Sequence, residues 1–279
     1  MGTDAVPPVL NRVLDTVLRA AESLGRRAGR RRRLISLRGT RAANLSAGYL
    51  DSLELLRLCS EFDIRVVYDV GAHSGTWTVL AAGVLGDCEI HAFEPLKAHH
   101  AAFRTMCAGI PRVRLHEVAL GALSGKSAMR ITDRTDSSSL LSLAPAAQKI
   151  FGLYETGRET VEVVRLDEYV RRENIPLPDL IKLDIQGAEL TALSGGETCL
   201  AAAKAVLLEV SFIEFYVGQP RFHAVVEYLA DRGFHLYALP AGISGGARLV
   251  QTDALFVRDD ALTDLAGRQA AMSPGSPLP

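Results

Sequence analysis

The chain is poor in the residues that staple, span or stiffen a protein. Only four cysteines occur in 279 residues (Cys59, Cys88, Cys107 and Cys199), and no two of them form a CxxC pair. That excludes a disulfide framework and a zinc site of the usual spacing, and it fits the reduced, mostly buried thiols of a cytoplasmic protein. Lysine occurs five times and tryptophan once, at Trp77. No apolar run approaches the roughly 18 residues that cross a bilayer, so no transmembrane segment is expected. The N-terminal region lacks the order of a secretory signal, because its arginines follow its apolar residues.

Net charge is only −1, which hides an asymmetry. Residues 1–45 hold ten arginines against three acids, so the remainder is acidic. An acidic body argues against nucleic acid as the main ligand. The stretch Gly25–Arg38 is the one region suited to a peripheral membrane contact, although charge runs more often face solvent. Residues 1–45 are therefore expected as an Arg-rich extension. Residues 46–262 are expected as one domain with an insert at 121–165, and 263–279 as a flexible tail. Homo-oligomer formation is left open.

Hydrophobic residues make up 48% of the chain, enough for a sizeable core. Tyr49–Phe62 has helical periodicity. A strand–helix rhythm then begins. Strands are expected at Arg65–Asp69, Glu89–Phe93, Val113–Val118, Leu180–Asp184, Ala205–Val210, Phe234–Leu239 and Ala254–Arg258. Helices are expected at Gly75–Leu85, Pro95–Ala108, from Gly187, and at Phe222–Arg232. Short β-like pieces, Ser127–Thr132 and Val161–Leu166, flank a Ser-rich turn in the insert. The pattern predicts an α/β fold: a seven-stranded, mostly parallel, Rossmann-like sheet covered on both faces, with the last strand antiparallel and a helical N-terminal extension. Ligands of such sheets bind outside the strands' carboxyl ends.

The first strand leads into Asp69-Val70-Gly71-Ala72-His73-Ser74-Gly75. A dinucleotide turn needs G-x-G-x-x-G, with its second glycine against a pyrophosphate; His73 stands there instead. Asp69 places a carboxylate beside the loop, which suits an ammonium better than a phosphate. S-adenosylmethionine, with an amino-acid end and a sulfonium, meets those conditions. Glu94, at the end of the second strand, suits ribose hydroxyls. Both features also occur in ordinary turns and helix starts.

Eight blocks, in order VYDVGAHSGTWT, HAFEPLKAHHAAF, VALGALSGKSAM, SSSLL, VEVVRLDEYV, LIKLDIQGAELTALSGG, AVLLEVSF and DALFV, resemble the FkbM family of S-adenosylmethionine-dependent methyltransferases over roughly residues 64–258. The resemblance implies a class I methyltransferase fold. It also implies O-methylation of a sugar, glycolipid, polyketide or other natural-product hydroxyl. It assigns Asp69, Gly71, Ala72, His73, Ser74 and Gly75 to the cofactor's methionine end. Glu94 and Pro95 go to its ribose, and the Glu117–Leu120 segment, with Ala119, to its adenine. The family loop usually reads GAN, and His73 departs from it; Gln186 stands where the family often has glutamate.

Methyl transfer to oxygen needs an aligned acceptor and a group that removes its proton. Asp184 ends the fourth strand and is a candidate for that role, for the cofactor's methionine end, or for a helix cap. Lys182, two residues back, is expected to pair with it. Glu209 ends the fifth strand, and His223 follows it as a further candidate base. Asp184 and Glu209 admit a magnesium ion without specifying one. Ser138, Ser139 and Gln186 are candidate acceptor contacts, and Trp77 is expected in packing. The alternatives are a non-catalytic S-adenosylmethionine-binding or interaction module and, less favoured by the loop, a nicotinamide-dependent oxidoreductase.

Overall fold

The computed structural model describes residues 49–240, 243–245 and 248–272; the Arg-rich extension expected at 1–45 lies outside them. The described residues from Asp51 onward belong to one compact unit. Its centre is a sheet in the order β10-β11-β8-β7-β1-β2-β3, with β9 also pairing β11. The strands are β1 (Val66–Val70), β2 (Glu89–Phe93), β3 (Val113–His116), β7 (Leu180–Leu183), β8 (Ala205–Ser211), β9 (Phe234–Ala238), β10 (Ile243–Gly245) and β11 (Arg248–Arg258). From β3 to β8 all pairings are parallel, and β11 runs antiparallel to β8, β9 and β10. The seven expected strands are present; β10 is an additional short eighth.

The central strands are apolar on both faces, as Leu180–Leu183 shows with all four residues buried. Such strands need cover on each side. Helix α1 (Leu50–Cys59) precedes β1, and α2 (Thr76–Leu85) and α3 (Lys97–Met106) follow β1 and β2. Beyond β3 the chain forms a second sheet, β4-β6-β5, from Ala119–Leu120, Glu155–Val164 and Gly125–Thr132. Helix α4 (Pro145–Phe151) lies between β5 and β6. It opens on a proline and closes on Gly152 with φ +71°, a start and stop that its short length hid in the sequence. Its Ala147 and Phe151 pack with Phe215 and Tyr216, which anchors the insert beside the end of β8.

Helices α5 (Leu166–Glu173), α6 (Glu189–Ser194), α7 (Glu197–Ala202) and α8 (Phe222–Ala230) complete the cover. Val161–Leu166, expected to be wholly β-like, divides instead between β6 and the start of α5. The described part of the segment expected as a flexible tail, residues 263–272, is helical, within α9 (Asp259–Met272).

The edge of the sheet at β2 and β3 holds a partly buried polar chain. His91 Nε2 is 3.0 Å from Glu89, His91 Nδ1 is 3.0 Å from His116 Nε2, and His116 Nδ1 is 3.1 Å from the Tyr169 hydroxyl. One proton arrangement satisfies every group. Tyr169 donates to His116, His116 to His91 and His91 to the Glu89 carboxylate, with both imidazoles neutral. Burial lowers the pKa of both histidines, that of His116 to about 4. Between the ordinary imidazole value near 6.5 and that lower value, the unfolded chain binds protons that the folded pair refuses. The stability tied to the neutral pair is intact above the upper value and is lost as pH falls toward the lower one. Buried acids such as Glu189 shift in the opposite sense, so a difference measurement isolates the pair. Urea denaturation of the native chain and His116→Phe at pH 7 and pH 4.5 should show the variant gaining about 2 kcal/mol relative to the native chain at the lower pH. A constant difference would contradict this account.

Candidate active site

The order of the sheet reverses between β1 and β7, which opens a crevice at their carboxyl ends. Asp69 and Lys182 are direct neighbours across that junction. Lys182 Nζ lies 3.0 Å from Asp69 Oδ1 as an ion pair, off the hydrogen-bonding line, and donates to the Gly71 carbonyl at 3.0 Å. Thr78 Oγ1 donates to the other Asp69 oxygen at 2.6 Å. Burial opposes the Lys182 charge, but Asp69 and then Asp184 more than offset it and hold its pKa above the ordinary lysine value. The Trp77 ring lies 5.6 Å from the ammonium and packs as expected. The expected partnership is thus corrected: Lys182 is paired with Asp69, not Asp184. Asp69 is 0% exposed, so its carboxylate supports the loop from beneath and presents no surface to an ammonium.

Above this pair the loop turns sharply. Gly71 has φ +80°, and a Cβ there would stand 2.0 Å from the Asp184 carbonyl oxygen, so only glycine fits. Ala72 is buried, and its N–H, like that of Gly71, donates to the Phe93 carbonyl. His73 adopts φ +48° and Gly75 φ +85°. The His73 N–H donates to Glu94 Oε2 at 2.9 Å, and the Leu96 N–H to Oε1 at 2.8 Å. Glu94 is therefore a buried clamp on the loop; burial raises its pKa against those two N–H donors. Pro95 follows, half-buried. Glu117 is exposed and pairs with Arg104 and with His100 at 3.4 Å, and Ala119 is buried in β4.

The His73 ring packs at a tilt of 42° against His99 with centroids 4.0 Å apart, and its Nε2 meets the Thr135 hydroxyl at 3.1 Å. Burial lowers the pKa of both rings, that of His99 to about 4. Ser74 Oγ lies between His73 Nδ1 and the Thr76 hydroxyl. No side chain caps the start of α2, so its first N–H groups remain available to an anion.

The β7 and β8 ends carry the second half of the site. Gln186 Nε2 donates to Asp184 Oδ1 at 2.8 Å and to Glu209 Oε2 at 3.0 Å. Its Oε1 lies 2.7 Å from the Tyr216 hydroxyl. Burial, then the Asp184 and Asp253 charges, push Glu209 well above the carboxylate range. Burial takes Asp253 to about 6. Glu189 is buried, its pKa pushed up to about 7, and accepts the N–H groups of Ile185 and Gly187. Ser139 donates to the Gln186 carbonyl at 2.8 Å and accepts the Leu141 N–H, and the Ser138 oxygen accepts the Thr132 N–H at 3.4 Å. His223 is exposed in the first turn of α8 and shares no hydrogen bond with the carboxylates. The Asp184–Glu209 pair does not fit a divalent cation. An amide N–H₂ already occupies the space between the carboxylates, and among the described residues no group of three or more His, Cys, Asp and Glu gathers to hold one.

A model of the FkbM methyltransferase domain matches residues 69–236. The chain belongs to the FkbM methyltransferase family. This methyltransferase is similar to the 2-O-methyltransferase NoeI of Sinorhizobium fredii (strain NBRC 101917 / NGR234). The two are 26% identical over 195 residues, 67% of this chain and 79% of that one. Among solved structures it is similar to magnesium protoporphyrin IX methyltransferase (ChlM) from Synechocystis PCC 6803 with bound SAM, at 12% identity, 75% and 76% coverage and a TM-score of 0.44. It is also similar to Aeropyrum pernix fibrillarin with natively bound S-adenosyl-L-methionine, at 12% identity, 75% coverage of each chain and a TM-score of 0.42. The residues fit an S-adenosylmethionine cradle. The uncapped α2 start with Ser74 and Thr76 suits a carboxylate, and Glu94 at the neighbouring strand end braces the loop that carries them.

Sequence patterns did not single out Tyr216, Thr135 or His99, because each lies outside the strand ends or in an aperiodic segment. The Asp69–Lys182 suture has a direct test. Lys182→Met leaves a buried carboxylate unpaired and should lower stability by about 3 kcal/mol, and adding Asp69→Asn should restore most of the loss in urea titrations. Equal stabilities for the single and double variants would contradict the pairing.

Proposed function

We propose that this methyltransferase transfers a methyl group from S-adenosylmethionine to a hydroxyl of a neutral, hydroxyl-rich acceptor, such as a sugar, a glycolipid sugar or a glycosylated natural product. The observation that carries the proposal is the Asp184–Gln186–Glu209 cluster at the ends of β7 and β8. When bound, the cofactor supplies the electrophilic methyl. Asp184 takes the proton from the acceptor hydroxyl as its oxygen is methylated. Glu209 backs that carboxylate, and Ser74 and the start of α2 hold the cofactor, with Glu94 bracing their loop.

The charge of the cluster supports the acceptor class. Asp184 and Asp253 repel phosphorylated or carboxylated acceptors, and Lys182, which could have answered an anion, is already committed to Asp69. Hydroxyl groups, which donate, suit a site rich in oxygen acceptors. NoeI, by its name a 2-O-methyltransferase, supports transfer to oxygen.

The test is methyl transfer to a panel of neutral glycosides, glycolipids and their phosphorylated counterparts, with and without EDTA. Neutral acceptors should be methylated and EDTA should leave the rate unchanged. Asp184→Asn should lower kcat by about 10²- to 10⁴-fold with affinity for S-adenosylhomocysteine nearly unchanged. Full turnover by the variant, or product from phosphorylated acceptors alone, would contradict the proposal.

A further inference from the structure

The side chain of Gln186 has no spare hydrogen-bonding group. Its amide has two N–H donors, and one nitrogen meets both Asp184 and Glu209. Its oxygen meets the Tyr216 hydroxyl. The opposite orientation would set a carbonyl against two carboxylates, so the amide has one workable pose. Its backbone is unusual as well: φ is +58° in a residue other than glycine, and the carbonyl is held by Ser139 at 2.8 Å.

Tyr216 is 2% exposed and faces two acceptors with one proton. Its hydroxyl is 2.7 Å from Gln186 Oε1 and 2.8 Å from the Ser137 carbonyl. Ser137 ends a turn that begins at Thr135, which holds His73 of the cofactor loop. A continuous set of polar contacts thus runs from the cofactor loop, through the insert and Tyr216, to the carboxylates.

We propose that Gln186 is a positioning residue that fixes the Asp184–Glu209 pair, and that Tyr216 sets it according to the position of the insert turn. The proposal deepens the methyltransferase reading and rests on it. The proton of Tyr216 serves Gln186 or Ser137, one at a time. A shift of the turn against an acceptor changes what Gln186 offers to both carboxylates. The charged and titratable groups facing Glu209 are Asp184 and Lys182 from β7 and its end, Glu189 from α6, Asp253 from β11 and Tyr216 from the loop after β8.

The test follows Glu209 through a pH titration by carboxyl-carbon NMR of the full chain, with its signal assigned through Glu209→Gln. Gln186→Leu removes both donors and should move the Glu209 midpoint upward by about one pH unit, a tenfold change in proton affinity. Tyr216→Phe keeps the buried ring and should move it in the same direction by less. Titration with S-adenosylhomocysteine is read in parallel. A Glu209 midpoint that stays put in both variants overturns the proposal, and if Gln186→Leu fails to fold, an unmoved midpoint in Tyr216→Phe does so alone. Absent cofactor binding in the native chain overturns the methyltransferase reading instead.

Discussion

One buried ion pair organises the site. Asp69 and Lys182 join β1 to β7 where the order of the sheet reverses. Neither charge is sustainable there without the other. With the pair in place, Lys182 also holds the Gly71 carbonyl, and the loop above it packs directly against the Asp184 main chain. The cofactor loop and the carboxylate that would serve the acceptor are thereby held in one fixed relation. Methyl transfer demands that kind of alignment.

The two halves of the crevice differ in chemistry. Around Ser74–Thr76 the structure offers hydroxyls and an uncapped helix start. Around β7 and β8 it offers carboxyl groups, with Glu209 and Asp253 kept above their ordinary pKa values by burial and then by the Asp184 charge. Gln186 holds both carboxyl groups with a neutral donor, where a carboxylate in its place would have added a further acid to the cluster.

Much of this was legible from residues in order. Glu89–Phe93 matches its expected bounds because a short β-branched and aromatic run is followed by an acid and a proline. The glycines at 71 and 75 announced the turn. His73 becomes intelligible only through its dihedral angle. It sits at φ +48°, a left-handed conformation that asparagine and histidine tolerate better than most residues, which accounts for its standing where the family usually has asparagine. Asp69 and Lys182 were visible as charged residues in apolar strands, but not their pairing. That pairing depends on which strands are neighbours, and the crossover to β7 spans more than a hundred residues. Helix α4 and Tyr216 escaped notice because a seven-residue helix and a loop tyrosine carry no period. Ser138 and Ser139, expected as acceptor contacts, hold the Thr132 N–H and the Gln186 carbonyl, bonds that no sequence pattern shows.

The central claim is that the crevice at the ends of β1, β2 and β7 holds S-adenosylmethionine. Calorimetric titration of the full chain with S-adenosylhomocysteine measures it directly. The account predicts one site per chain with a dissociation constant on the order of micromolar, abolished by Gly71→Val, whose side chain would occupy the space of the Asp184 carbonyl. Absence of binding to the native chain, or undiminished binding to a folded Gly71→Val variant, would contradict it.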